Sequence, residues 1–279
     1  MAGAAVSKKP GVAVEGYLKK AIMHWDGTDG WPDYRNFSTE DPLSIRIRGT
    51  PYSVVMRAPG DGIDHVAGFC LAEGIVDTPA DLNAIGFCDG ADTNVVTVTL
   101  TASRREKIVA TLDRRGFISQ TSCGICGKEI VRDLKQTISP VPNGPALSAG
   151  RILKCIDTLS SHQPLRRQTM ASHAAALFNS DFELLAAAED VGRHNALDKV
   201  IGKLFLTERL AEACLLALSS RTSYELVQKA GRAGIPIVLS VSRPTAIAVA
   251  LAEQLNMTLA CLAHGEGLYI FCGADRLVF

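Results

Sequence analysis

Cys214-Leu-Leu-Ala-Leu218, Tyr224-Glu-Leu-Val-Gln-Lys-Ala-Gly-Arg232, Ile235-Pro-Ile-Val-Leu-Ser-Val241, Ala246-Ile-Ala-Val-Ala-Leu-Ala-Glu-Gln-Leu255 and Met257-Thr-Leu-Ala-Cys-Leu262 follow one another with short breaks. Their succession decides the fold. The first, third and fifth are short apolar runs that read as strands, and the second and fourth repeat apolar residues at helical spacing. Gly234 closes the first helix. Strands alternating with helices of this length predict βαβ units and a sheet covered on both faces. A last strand is expected at Leu268 to Phe271.

In such sheets ligands bind beyond the carboxyl ends of the strands. Two similar tetrads stand there, Ser220-Arg-Thr-Ser223 and Ser242-Arg-Pro-Thr245, each opening a helix. Hydroxyls, a guanidinium and free helix N–H groups together suit an anion. Ser220, Arg221, Ser242 and Arg243 are therefore candidates to hold a nucleotide or a diphosphate. Either tetrad alone could be no more than a capped helix start.

Upstream, Asp190-Val-Gly-Arg-His-Asn195 is the densest polar cluster in the chain, set between a strand and an apolar helix over Asn195 to Leu206. One of its residues suffices for capping. That leaves Arg193 and His194 to contact a ligand or to orient a thiolate. Two strands, His173 to Phe178 and Glu183 to Ala187, flank the turn at Asn179 to Asp181, and His173 itself reads as buried, hydrogen-bonded and without function. A helix over Arg151 to Leu159 follows a Pro-rich, exposed connection, Ser139 to Gly150.

Thr121-Ser-Cys-Gly-Ile-Cys-Gly-Lys-Glu129 holds the one pair of cysteines close enough to act together, Cys123 and Cys126. Lys128 and a helix expected from Glu129 to Gln136 would stabilise a thiolate there, and the thiolate is the reactive form. Four readings stand: a sulfur carrier, a thioredoxin-like redox pair, two inert small apolar residues, and half of a zinc site completed by Cys261 and His264. Ser122 occupies the place where the redox motif has an aromatic residue, and a zinc site more often uses two close pairs.

The N-terminal third separates into an irregular arm, residues 1–40, and a smaller α+β unit, residues 41–117, ahead of the large unit, residues 118–279. In the smaller unit Leu43, Ile45 and Ile47 alternate with polar neighbours and pair with Tyr52 to Arg57 in a hairpin. A helix from Asp64 to Ile75, a strand from Asn94 to Leu100 and a charged helix from Arg104 to Arg114 complete it. Lys plus Arg and Asp plus Glu each total 29, a balance that argues against nucleic acid as main partner. No apolar run reaches the length of a membrane span, and Lys8 and Lys9 are followed by no secretory apolar region. The eight scattered cysteines point to a reducing, cytoplasmic setting.

The segments Glu40 to Ile45, Met56 to Asp61, Gly68 to Ile75, Ser122 to Gly127, Glu189 to Lys199 and Tyr224 to Lys229 together resemble the formate dehydrogenase accessory sulfurtransferase family. The resemblance implies a cytidine-deaminase-like three-layer α/β domain preceded by the small α+β domain, as a homodimer. It implies a sulfurtransferase that takes a persulfide from a cysteine desulfurase and delivers its sulfur to the molybdenum bis(molybdopterin guanine dinucleotide) cofactor of formate dehydrogenase. Cys123 would carry the persulfide, assisted by Cys126. Leu262-Ala-His-Gly-Glu-Gly267, that is Leu262, Ala263, His264, Gly265, Glu266 and Gly267, would contact the guanine dinucleotide. Two stretches depart from the family's pattern. Met170 and Ala171 stand where glycines are usual, and Ser220 replaces a glycine before Arg221. Zinc-deaminase chemistry is not expected, since His264-Gly-Glu266 lies downstream of the cysteines and Ser122 replaces the proline of that signature.

Overall fold

The computed structural model describes residues 16–88, 94–115, 138–265 and 267–279, with the backbone only over 109–115. Cys123, Cys126, the helix expected at Glu129 to Gln136, and Glu266 lie outside the described residues.

Where an irregular arm was expected, β1 (Tyr17–Trp25) and β2 (Gly30–Ser38) pair antiparallel as a hairpin. The sequence hides it because neither strand keeps a clean apolar alternation. Its turn is set by Asp26, whose carboxylate accepts from the N–H groups of Thr28 at 2.9 Å and Asp29 at 3.0 Å. The hairpin is moored through Asn36 to Gln168 and Ser38 to Thr169, each at 2.9 Å.

The smaller unit is a four-stranded sheet in the order β4-β3-β6-β5, made of β3 (Asp41–Ile47), β4 (Thr50–Arg57), β5 (Leu82–Phe87) and β6 (Val95–Leu100). β5 was not legible in the sequence, since Asn83, Ala84 and Gly86 carry little strand preference. Helix α1 (Gly62–Ala72) and the charged α2 (Ala102–Arg115) accompany the sheet.

Downstream come β7 (Leu147–Ser148), α3 (Ala149–Ser161), α4 (Pro164–Thr169), β8 (His173–Phe178), β9 (Leu184–Asp190), α5 (Arg193–Leu206), β10 (Leu215–Arg221), α6 (Tyr224–Arg232), β11 (Ile237–Ser242), α7 (Ala246–Gln254), β12 (Thr258–Leu262), β13 (Leu268–Cys272) and β14 (Leu277–Val278). The large sheet runs β13-β12-β11-β10-β8-β9. Only β10, β11 and β12 are parallel; β8 and β13 run against their neighbours, so the sheet is mixed.

Alternation along the strands sends side chains to two cores. Ala175, Leu177, Leu216, Leu218 and Val238 meet apolar residues of α5, α6 and α7, while Ala174, Ala176, Phe178, Leu215 and Leu239 meet Ile152, Ile156 and Leu159 of α3. The first core also contains Leu43, Ile45, Val66, Phe69 and Val98, so the smaller sheet and the large one share it. The weld is the pair α1 and α5. A methyl group at Gly68 would strike the Asp198 carbonyl and one at Gly202 the Asp64 carbonyl, so the two backbones run closer than any larger residue permits.

Candidate functional site

Strand direction gathers the candidates at one edge of the large sheet. β10, β11 and β12 all finish there, at Arg221, Ser242 and Leu262. β8 runs against β10, so its first residue, His173, arrives at the same edge, paired with Asp190, the last residue of β9. α5, α6 and α7 all begin at this edge. Two contacts tie their starts together: His194 Nε2 lies 3.3 Å from Ser223 Oγ, and the Thr245 N–H donates to the Thr222 carbonyl at 3.1 Å. Three positive helix ends thus converge, each equivalent to roughly half a charge.

A bulge aims Arg221. β10 and β11 keep register from Leu215↔Ile237 to Leu218↔Ser240, then shift so that Arg221 faces Ser242. The extra residue falls at Ser219-Ser220, where Ser219 Oγ accepts from the Ala174 N–H at 2.8 Å and Ser220 donates to the Arg221 carbonyl at 3.0 Å. Ser220 is buried, and its hydroxyl serves the bulge.

The charge balance at this edge is positive. Burial lowers the pKa of Arg193, and the neighbouring Arg221 lowers it further against the opposing pull of Glu225. His173 is held below the ordinary histidine value by burial, then by Arg193, Arg166 and His194. Glu225 is pulled down to about 2, first by its hydrogen bond with His194, whose Nε2 stands 3.7 Å away. The expectation for His173 is corrected: it is only half-buried, and its Nδ1 has no hydrogen-bond partner among the described residues. The same holds for Arg193 Nε and for Thr222 Oγ1.

Toward the other end of the edge, Ser242, Arg243, Leu262, Ala263, His264 and Tyr269 line an open cavity of about 320 Å³. Arg243 lies over the Tyr269 ring, 5.2 Å from its centre. The β12–β13 connection closes with the Ala263 N–H donating to the Gly267 carbonyl at 2.9 Å, and Gly265 takes a left-handed φ of 80°. The structure therefore brings Arg193, His194, Ser220, Arg221, Ser242, Arg243, Leu262, Ala263, His264, Gly265 and Gly267 to a single edge. The capping alternative holds for one tetrad in part: Thr245 caps α7 by accepting from the Ala248 N–H at 3.4 Å, while Ser223 makes no such bond for α6. Tyr269, which stands in no motif, was missed, and so was Thr222, although it lies inside the first tetrad. Their place follows from the strand partner of Cys261 and from the head of α6.

Most of the polar run Glu189 to Lys199 is framework. Glu189 accepts from the first N–H groups of α4 at Leu165 and Arg166, at 2.7 and 3.0 Å. Asp190, fully buried, pairs with Lys199 Nζ at 2.8 Å and also accepts from Gly192, Asn195 and Ala58. Asp198 binds Lys229 Nζ through both oxygens at 2.8 Å. Only Arg193 and His194 are left to face the edge. Cys261 is buried with its thiol raised by that burial, and among the described residues no three His, Cys, Asp or Glu side chains are grouped to hold a metal. No described helix is long and apolar enough to cross a membrane.

Residues 38–278 match the model of the FdhD/NarQ family. The chain is 40% identical over 252 residues to the protein named Sulfur carrier protein FdhD from Mycobacterium bovis, covering 86% of this chain and 91% of that one. It is 35% identical over 252 residues to the protein of the same name from Anaeromyxobacter dehalogenans strain 2CP-C, covering 86% and 88%. Its fold is similar to the crystal structure of a formate dehydrogenase accessory protein from Desulfotalea psychrophila, with a TM-score of 0.75 at 22% identity over 94% of this chain and 99% of that one.

Proposed function

The chain belongs to the FdhD/NarQ family, and on that premise we propose that it is a sulfur carrier of formate dehydrogenase maturation. It takes persulfide sulfur from a cysteine desulfurase and hands it to molybdenum bis(molybdopterin guanine dinucleotide), which it binds as cargo. The observation that carries the cargo half is the convergence of three helix starts with Arg193, Arg221 and Arg243 at one sheet edge. Phosphate-bridged dinucleotides are recognised by such groups. Arg243, His264 and the Leu262 to Gly267 turn would hold a diphosphate at the cavity, with Tyr269 offering a flat face beside it. Unpartnered polar atoms at Thr222, His173 and Arg193 fit an oxygen-rich ligand.

In the carrier half, the Cys123 thiolate attacks the outer sulfur of the donor's persulfide. The donor's sulfur–sulfur bond breaks, its cysteine leaves as a thiolate, and the transferred sulfur stays on Cys123. Cys126 stands three residues away in sequence, and attack of its thiolate on Cys123 Sγ forms the Cys123–Cys126 disulfide, breaks the persulfide bond and expels the outer sulfur at the sulfide level to the cargo, after which a thiol reductant restores the dithiol. The same proposal includes sulfurtransferase activity as an enzyme, a cytoplasmic setting, a homodimer, and division of the chain into residues 1–40, 41–117 and 118–279. For the last segment it includes a cytidine-deaminase-like architecture, which is supported by helices on both faces of its mixed sheet.

Incubation with a cysteine desulfurase and cysteine, followed by peptide mass spectrometry, tests the carrier step. The peptide containing Cys123 gains about 32 Da, one sulfur atom, and Cys123→Ala gains nothing. An unmodified wild-type peptide, or an adduct that survives the substitution, refutes it.

A further inference from the structure

The hairpin of β1 and β2 has two outer edges, and they are finished differently. The Thr39 N–H donates to the Gly16 carbonyl and the Asp26 N–H to the Asp29 carbonyl, so the even residues of β1 bond to β2 and the odd ones turn their N–H and C=O groups away from it. On β2 the outward groups belong to Gly30, Pro32, Tyr34, Asn36 and Ser38. Pro32 has no N–H to offer, the Tyr34 N–H donates to Asp33 at 2.6 Å, and the Tyr34 carbonyl accepts from Arg35 at 3.0 Å. That edge is closed to a further strand. β1 holds no proline, and among the described residues it pairs with β2 alone, which leaves the outward groups of Tyr17, Lys19, Ala21, Met23 and Trp25 open.

A two-stranded ribbon is marginal by itself, and this one leaves Met23, Trp25 and Tyr34 69, 69 and 60% exposed on one face. A further strand on β1 would relieve both faults, and β1 is complementary to itself. Run antiparallel about Met23, two copies set Met23 opposite Met23, in phase for a mutual pair of N–H···O bonds. Trp25 of each then lies opposite Ala21 of the other, and Lys20 opposite Asp26. Large meets small, and positive meets negative. The formal charge of the chain is zero, so two copies approach without net repulsion.

We propose that the outer edge of β1 receives β1 of a second copy of this chain, the two strands antiparallel about Met23, so that a four-stranded β2-β1-β1-β2 sheet crosses the dimer. The inference rests on the homodimer reading above and names the surface that forms it. Backbone bonds across the seam supply affinity, and the Lys20–Asp26 pairs, one on each side of the twofold axis, fix the register.

Sedimentation equilibrium of the full-length protein tests this, with a wild-type dimer expected. Met23→Pro removes an outward N–H and leaves the bonds between β1 and β2 in place; it raises the dimer dissociation constant roughly a hundredfold. Lys20→Glu, at an exposed position, sets like charges opposite each other and raises the constant roughly tenfold at about 50 mM salt, a loss that shrinks at about 500 mM. Tryptophan fluorescence reports whether the hairpin survives; where Met23→Pro disturbs it, Lys20→Glu decides alone. A wild-type dimer that neither substitution loosens overturns the β1 seam and leaves the homodimer reading standing. A monomeric wild type overturns both and leaves the edge to a strand of another protein.

Discussion

Asp190 and Lys199 are each fully buried, and their charges are tolerable because the carboxylate and the ammonium find partners in Ala58, Glu189, Gly192, Asn195 and each other. Removing one member strands the other, so Lys199→Met should cost about 3–5 kcal/mol in urea unfolding. A loss below about 1 kcal/mol would show that the pair contributes little. Close by, His65 is completely buried and neither ring nitrogen makes a full hydrogen bond; Asn195 gives only a weak interaction. Burial, then Lys199 and Lys229, hold its pKa well below the ordinary value of 6.5. Below pH 6.5 the unfolded chain takes up a proton that the folded chain refuses, so native stability falls with acid over that range. The slope from this group approaches about 1.4 kcal/mol per pH unit. His65→Leu should flatten the acid limb by that amount, and curves that stay parallel from pH 7 to pH 5 would locate the slope elsewhere. Met170 has a positive φ of 55° at the end of α4, a conformation natural to glycine. Met170→Gly should therefore raise stability by up to about 1 kcal/mol, read from the denaturation midpoint; a lowered midpoint would show that the left-handed turn carries no strain. Here the sequence was informative: the departure from the family's glycines named the position where the backbone is awkward. It was misleading over Glu189 to Lys199, because a buried ion-pair lattice and a ligand site use the same residue types, and only burial separates them.

At the scale of elements, the alternating strands and helices from Cys214 onward were legible because each is short, apolar and bounded by turn residues. The hairpin at Tyr17 to Ser38 and strand β5 were not, because cross-strand pairing makes them and no local periodicity does. The crossing of α1 and α5 was equally silent, since Gly68 and Gly202 inside helices read only as weak helix formers. In the fold they are what allows contact. Gly68→Ala and Gly202→Ala should each destabilise by about 3 kcal/mol or more, well beyond the cost of an ordinary overpacked position, because the obstacle is backbone carbonyl and cannot rotate away. Alanine at either position with unchanged thermal stability would mean that the helices part freely.

Over the whole molecule, basic and acidic residues cancel at 29 each, yet Arg193, Arg221 and Arg243 gather at the edge where β10, β11 and β12 end. The formal balance was readable from composition, but its segregation was not, because it depends on which strand ends meet. Raising salt from about 50 to 500 mM should weaken GDP binding severalfold without lowering the melting temperature, and a salt-independent affinity would count against the edge. The core common to both sheets has a wider bearing. α5 presents Arg193 in its first turn, and its later turns are wedged against α1, about 14 Å along the axis. The four-stranded unit therefore works as a keel: through α1 and α5 it fixes the heading at which the Arg193 guanidinium points, and on the proposed reading that guanidinium meets the cargo. Loosening the joint at Gly202 would blunt ligand recognition at a distance, long before the chain unfolds.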